Sequence, residues 1–223
     1  MTLFLDIETT GVSSEDKICS CGLIESNTQH YELYNEGKKI TPKASSIHHI
    51  TNEMIADKGR FQEGEIFALL QKYNTQETTL VVHNAKFIID MLSSHGFFFE
   101  GIIIDTKRVA KHLIKECESY ALDFLWYECK LYKEQPYEVN CHSRDDVVKL
   151  SLLYEYLAEL VPQDTLAQLS VSPVLLEKFS FGKYNNCYIE EISMRDRGYL
   201  QWLISLEDID EDLAYSLQYY LKA

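Results

Sequence analysis

Apolar residues run together or alternate with polar ones in five short stretches of the chain, each bounded by polar or turn-forming residues. Runs of this length, rich in β-branched and aliphatic side chains, are typical of β-strands. The five predicted strands are residues 3–8, 17–25, 28–35, 78–83 and 101–105. Because the first three follow one another closely, they predict a meander.

A helical period appears between and after the later strands. Apolar residues recur every three or four positions, which is the spacing of one helix face, in residues 63–73, 85–95, 106–117 and 144–160. Three strands followed by alternating helices and strands predict an α/β fold, a mixed five-stranded sheet flanked by helices.

The second half of the chain contains a predicted domain boundary. Pro162 follows the last of these helices, and residues 170–173 form a polar break. Because proline interrupts helices, we predict a main domain over residues 1–165 and a small α+β C-terminal extension over residues 166–223. Within the extension, residues 179–191 predict a hairpin with Asn185 and Asn186 in its loop. Two helical patterns follow the hairpin.

Composition narrows the class of protein. The 223 residues are 46% hydrophobic and 25% charged, as in ordinary globular proteins, and no apolar run approaches the about 20 residues that span a bilayer. The N-terminus enters a strand at once, so we predict no signal peptide and a cytoplasmic location. The six cysteines include no CxxC pair, which favours buried thiols over a zinc site.

The net charge of -14 bears on nucleic-acid binding. Tight non-specific binding of long nucleic acid requires Lys and Arg side chains that displace counterions from phosphates. We therefore expect any polynucleotide to be held locally, at a strand end, with divalent cations supplying positive charge in a carboxylate-lined cleft.

Two acids follow each other on the first predicted strand. Strand alternation places Asp6 and Glu8 on one face of "LFLDIETTG", just before a Thr-Thr-Gly turn. They therefore lie at the carboxyl end of the strand, where open α/β sheets build their sites. The alternative is an edge strand with two solvated acids. A second candidate group, His142 with Asp145 and Asp146, comes at the start of the last predicted helix.

Five segments, in this order, resemble motifs of the DEDD superfamily of 3′-to-5′ exonucleases, the DnaQ-like proteins of the RNase T and DNA polymerase III epsilon-subunit type. The segments are "DIETTG" (6–11), "SIHHIT" (46–51), "HNAKF" (83–87), "IIIDTKRVA" (102–110) and "CHSRDDVVKL" (141–150). The resemblance covers residues 1 to about 160 and implies an RNase H-like sheet. In the tail, residues 181–203 resemble an FGKY-type module that is appended to some bacterial exonucleases and phage DNA-metabolism proteins.

The resemblance implies a hydrolase of the histidine subclass (DEDDh) that uses two Mg²⁺ or Mn²⁺ ions to cleave phosphodiester bonds at 3′ ends of single-stranded or short DNA or RNA. Two such ions, roughly 3.5 to 4 Å apart, activate a water and stabilise the leaving oxygen. An imidazole with a pKa near ~6.5 can act as the general base. The implied catalytic residues are Asp6, Glu8, His142 and Asp146, the implied metal ligands are Asp6, Glu8 and Asp146, and the implied substrate-binding residues are Thr9, Thr10, Gly11, His48, Asn84 and Phe87.

The chain departs from the family pattern at two positions. Ile88 stands where the second motif has an aspartate, and Asp146 follows His142 by four positions where the family has five. Losing even an outer-shell partner of a metal ligand typically costs ~10 to 100-fold in affinity or activity. We therefore expect an impaired exonuclease unless Asp90 or Asp145 supplies the missing ligand. The alternative is an inactive nuclease fold that binds nucleic-acid ends or a replication or repair partner.

Overall fold

A computed structural model describes residues 1–115, 117–134, 143–206 and 208–222. It divides the chain into two compact units, Met1–Ser170 and Val171–Ala223. The division follows Ser170, whereas the sequence predicts that the main domain ends at residue 165. Pro162 immediately precedes a helix, and its carbonyl accepts the N–H of Leu166 at 3.1 Å.

The first unit contains the mixed five-stranded sheet that the sequence predicts. Its strands, in the spatial order β3-β2-β1-β4-β5, pair antiparallel from β1 to β2 and from β2 to β3, and parallel from β1 to β4 and from β4 to β5. They are β1 (Thr2–Thr9), β2 (Ile18–Glu25), β3 (Thr28–Leu33), β4 (Thr79–Val82) and β5 (Ile102–Asp105). The predicted α/β architecture is therefore confirmed.

Seven helices accompany the sheet within the described part of this unit. They are α1 (Pro42–His48), α2 (Glu65–Lys72), α3 (Ala85–Ser94), α4 (Thr106–Leu113), α5 (Leu122–Glu128), α6 (Ser143–Leu160) and α7 (Gln163–Val171). The sequence predicts α2, α3, α4 and α6 but not the other three. Helix α1 follows a start signal that the prediction overlooked, since the Thr41 side chain accepts the Ala44 N–H at 3.2 Å and Pro42 is the first helical residue.

The two faces of β1 serve different purposes. Leu3, Leu5 and Ile7 are buried and pack in one core cluster with residues of α2 and α3. Their neighbours Asp6 and Glu8 are half-buried on the opposite face, which helix α6 covers. The alternation that the sequence predicts therefore places both acids beneath α6.

Helix α6 approaches the sheet at the strand positions beside these acids. Gly22 pairs with Asp6 across β1 and β2, and a Cβ at position 22 would overlap the backbone carbonyl of Ser143. Ser20 pairs with Glu8, and its Oγ lies 2.7 Å from the Oγ of Ser143. A glycine and a small polar side chain on β2 therefore let the first turn of α6 lie directly against the strand.

The second unit has a helical structure. It contains α8 (Ile189–Arg195), α9 (Arg197–Ile204) and α10 (Glu211–Lys222), which pack around a core that includes Phe179, Ile189, Leu200 and Leu217. The sequence predicts a hairpin and two helices in this region. None of the described helices in either unit combines the length and apolarity needed to cross a bilayer.

The predicted hairpin over residues 179–191 is wrong. Two residues, Lys178 and Tyr188, form a single antiparallel bridge, and a short 3₁₀ turn occupies Gly182–Tyr184. The φ angle is -50° at Asn185 and 65° at Asn186, so only the second asparagine adopts the left-handed conformation. This is the pattern of a type II turn, whereas the common type I′ hairpin loop needs positive φ at both positions.

We expect Gly22→Ala to destabilise the protein, because the new methyl group forces α6 away from β2. Overpacking of this kind costs about 1–3 kcal/mol, and each kcal/mol lowers the melting temperature of a chain this long by roughly 2–4 °C. The matched control is Gly59→Ala, whose Cβ would meet only the flexible carboxylate of Glu63 at 3.2 Å. Equal melting temperatures for the two variants would show that α6 does not need the glycine.

Candidate functional site

Three carboxylates converge where β1 passes under α6. One ligand oxygen from each of Asp6, Glu8 and Asp146 lies within 4.8 Å of the other two. Strand β1 pairs with β4 only through residues 2–4, so both strand acids extend beyond the parallel ladder, towards the carboxyl end of the sheet. The structure therefore brings together the three residues that the sequence proposes as metal ligands.

Burial and mutual repulsion favour the protonated forms of these acids. Burial first, then the neighbouring carboxylates, raise the pKa of Asp6 well above its ordinary value. Burial, followed by the charges of Asp146 and Asp123, raises the pKa of Glu8 to about 8. Burial also raises the pKa of Asp146. The cluster thus has too little positive charge to offset burial and repulsion, and its oxygen ligands are the type that Mg²⁺ and Mn²⁺ prefer.

A buried lysine, which sequence reasoning missed, reaches the cluster from α6. The Nζ of Lys149 lies 2.6 Å from Oδ1 of Asp146 and 2.5 Å from Oδ1 of Asp123 on α5. Burial alone would lower the pKa of Lys149, but Asp146 and Asp123 outweigh burial and raise this pKa. Lys149 and Asp146 are separated by one helical turn, a spacing that could have predicted their contact. No sequence signal links either residue to Asp123.

The Thr-Thr-Gly turn after β1 is held by its own hydrogen bonds. The Thr9 hydroxyl donates to the carbonyl of Gly11 at 2.5 Å, and the Thr10 hydroxyl donates to Oδ1 of Asp16 at 2.8 Å. Hydrogen bonds from Ser13 lower the pKa of Asp16, so the Asp16 carboxylate stays ionised and anchors the turn. Both threonine side chains, proposed from the sequence as substrate contacts, are buried and therefore shape the turn.

The His48 ring supports the same turn from α1. Its Nδ1 accepts the N–H of Ile50 at 3.1 Å, which places the proton of a neutral ring on Nε2. Nε2 then donates to the carbonyl of Thr9, 3.2 Å away. The buried His48 side chain therefore contacts the turn directly.

The second motif forms the junction between β4 and α3. Asn84 adopts a left-handed conformation, with φ of 74°, immediately before α3, and its side chain is exposed. Asp105 fixes the junction, because its carboxylate accepts the backbone N–H groups of Asn84 and Ala85 at 3.0 and 2.9 Å. The same carboxylate caps α4, so Asp105 has a structural role at both helix starts. Phe87 is half-buried and packs against the core.

Ile88 and the two substitute acids lie outside the cluster. Ile88 is 2% exposed and belongs to the apolar core on the other side of β1. Asp90 was proposed as a replacement ligand, but α3 is regular from Ala85, and the exposed Asp90 carboxylate pairs with Lys86 at 3.0 Å. Asp145, the other proposed replacement, is half-buried on α6 and is not one of the three converging acids.

One proposed catalytic residue cannot be placed. His142 precedes α6 and lies outside the described residues. The general base of the site therefore remains a sequence-based assignment.

Comparison with known proteins matches both units. The exonuclease family profile matches residues 3–146, and the exodeoxyribonuclease X-like C-terminal profile matches residues 179–208. Exodeoxyribonuclease 10 of Escherichia coli (strain K12) is 27% identical over 229 residues, which cover 100% of this chain and 99% of the relative. DNA polymerase III subunit epsilon of Treponema pallidum (strain Nichols) is 33% identical over 95 residues, which cover 40% of this chain and 43% of the relative.

The structural comparison agrees. The structure of exonuclease X in complex with 5′ overhanging duplex DNA has a TM-score of 0.62 and 22% sequence identity, covering 76% of this chain and 99% of that one. The fold is therefore the RNase H-like fold of these nucleases. The chain belongs to the exonuclease family. Membership of this family implies dependence on a divalent metal ion, and the three acids fit such an ion.

The raised pKa of Glu8 predicts a pH-dependent stability in the absence of metal. A folded-state pKa above the ordinary 4.5 means that the folded protein binds this proton more tightly than the unfolded chain does. The stabilisation is complete below pH 4.5 and is lost as pH rises towards about 8. We expect the melting temperature in EDTA to fall over this range, and Glu8→Gln to reduce the fall.

The control for this measurement is Glu159→Gln, at the exposed end of α6, which should keep the wild-type profile. Added Mn²⁺ should raise the melting temperature of the wild type most at high pH, where protons no longer compete with the ion. Parallel pH profiles for the wild type and Glu8→Gln would show that Glu8 does not titrate as the site geometry requires.

Proposed function

We propose that the protein is a 3′-to-5′ exonuclease that hydrolyses phosphodiester bonds at single-stranded or short nucleic-acid ends with Mg²⁺ or Mn²⁺. The observation that carries the proposal is the convergence of Asp6, Glu8 and Asp146 within 4.8 Å. DNA is the first substrate to test, since the full-length relative is named as an exodeoxyribonuclease. The turn at residues 9–11 follows β1, and the junction at Asn84 follows β4. Both border the carboxyl ends of these strands, where such a substrate would bind.

Each part of the site has a defined task in this proposal. Asp6, Glu8 and Asp146 would hold the divalent ion, which when bound would supply activation of a water and neutralisation of charge on the scissile phosphate. The rigid turn offers its backbone to the terminal nucleotide, and Phe87 supplies an aromatic edge beside it. His142 removes a proton from the attacking water, as the resemblance to the histidine subclass implies.

The proposed activity is weak for its family. Position 88 carries an isoleucine that is buried in the core, and neither Asp90 nor Asp145 supplies the missing carboxylate to the cluster. Three carboxylates hold two divalent ions less tightly than four do, and a missing ligand costs at least the ~10 to 100-fold typical of outer-shell losses.

A second function is favoured by a specific observation. Lys149 pairs with Asp146, so part of the negative charge is neutralised before any metal binds. That arrangement also suits a non-catalytic nuclease fold that binds nucleic-acid ends or a replication or repair protein. The place of action in both proposals is the cytoplasm, which agrees with free thiols at all five described cysteines.

The direct test is incubation of a 5′-labelled single-stranded DNA oligonucleotide with the protein and Mn²⁺. We expect slow shortening from the 3′ end, blocked by EDTA and by phosphorothioate linkages at the 3′ terminus. Asp6→Asn should reduce the rate about 100-fold or more, because it removes a direct ligand. The control is Asp57→Asn, an exposed residue remote from the three acids in the chain.

Failure to shorten the oligonucleotide, even with the protein in large excess over DNA, would defeat the catalytic proposal. Retained binding of the 3′ end, measured by fluorescence anisotropy, would then support the non-catalytic alternative. Shortening at the wild-type rate by Asp6→Asn would place the activity elsewhere or in a contaminant.

A further inference from the structure

Lys149 forms ion pairs with two carboxylates from different helices. Its side chain is 3% exposed, and it contacts Asp146 on its own helix and Asp123 on α5. Asp123 is 59% exposed, so the lysine lies between a solvent-facing acid and the half-buried cluster. A positive charge is therefore fixed beside the three proposed metal ligands.

We propose that the ammonium of Lys149 takes the place of one divalent cation, so that this site binds a single divalent ion rather than two. The inference depends on the proposed function only in treating Asp6, Glu8 and Asp146 as metal ligands. The inference concerns the number of divalent ions in the site, so it can be wrong even if the protein is an active exonuclease.

The charge balance supports one ion. When ionised, the three converging acids carry three negative charges, and Lys149 reduces this to two, which one divalent cation neutralises. A second divalent cation would leave the buried group with two excess positive charges, which is costly where solvent screening is weak. Asp123 is not one of the three converging acids, and because it is mostly exposed, water screens its charge more strongly than theirs.

The coordination also supports one ion. Lys149 already occupies Oδ1 of Asp146, 2.6 Å away, so a second metal would compete with the ammonium for that carboxylate. No further carboxylate joins the three among the residues that the structure describes. The fourth acid of the neighbourhood, Asp123, binds the lysine, and position 88 faces the apolar core.

The ion pair with Asp123 determines whether the ammonium of Lys149 stays in the site when a metal ion binds. A lysine paired with Asp146 alone could swing away when a metal arrives. Lys149 is also held by Asp123 on α5 and is buried, so its ammonium stays beside the cluster when an ion binds to the other carboxylate oxygens. The pair between α5 and α6 therefore has an electrostatic role in the site in addition to joining the two helices.

The test counts Mn²⁺ ions per chain by following the electron paramagnetic resonance signal of free Mn²⁺ during titration of the full-length protein. We expect one ion in the wild type and in Lys149→Arg, which keeps the charge. Lys149→Met should bind the first ion about tenfold or more tightly and should acquire a second site. The control is Lys58→Met, which removes an exposed lysine paired only with Asp57 and should behave as the wild type.

Asp123→Asn provides an independent variant, because its side chain is mostly exposed and the protein should fold normally. It removes one anchor without touching a proposed ligand. The lysine then pairs with Asp146 alone and can swing away when a metal arrives, so we expect Asp123→Asn to bind a second Mn²⁺ ion. Melting curves for every variant show whether the protein is folded during the titration.

Two Mn²⁺ ions of comparable affinity in the wild type would overturn the inference and leave the proposed exonuclease function intact. Unchanged ion number and affinity in Lys149→Met, or an unchanged ion number in Asp123→Asn, would also overturn it. The absence of any bound ion in the wild type would contradict both the inference and the metal centre of the proposed function.

Discussion

The constraint on which this site depends is the repulsion among three carboxylates held in a half-buried space. Asp6, Glu8 and Asp146 lie close enough to share one cation, and burial makes their ionisation unfavourable without positive charge. A site of this kind has only three ways to balance its charge, namely protons, a metal ion or a neighbouring cation. This protein provides the third through Lys149 and leaves room for the second.

The fold maintains this unfavourable arrangement through close packing elsewhere. Gly22 and Ser20 allow the first turn of α6 to lie on β2, beside the strand positions of the two other acids. His48 and Asp16 fix the turn that follows β1. Stable contacts around the site therefore offset the cost of assembling like charges at its centre.

Much of the fold could be predicted because its signals are local. The five strands, four helices and the alternation that places Asp6 and Glu8 on one face of β1 all follow from the spacing of apolar residues. Short helices such as α5 carry too little pattern to be recognised. The turn at Asn185 and Asn186 shows the limit of residue preference, because asparagine permits positive φ without requiring it at both positions. The contact between Lys149 and Asp123 is tertiary, so no local signal reveals it.

Family membership and the geometry of the acids together predict a divalent ion bound by residues from both β1 and α6. The most direct measurement is diffraction from crystals grown with Mn²⁺, with data collected at the manganese absorption edge. The account predicts one anomalous peak at bonding distance from Asp6, Glu8 and Asp146, with Lys149 still paired to Asp123. An empty cluster, or three carboxylates too far apart to share an ion, would contradict it.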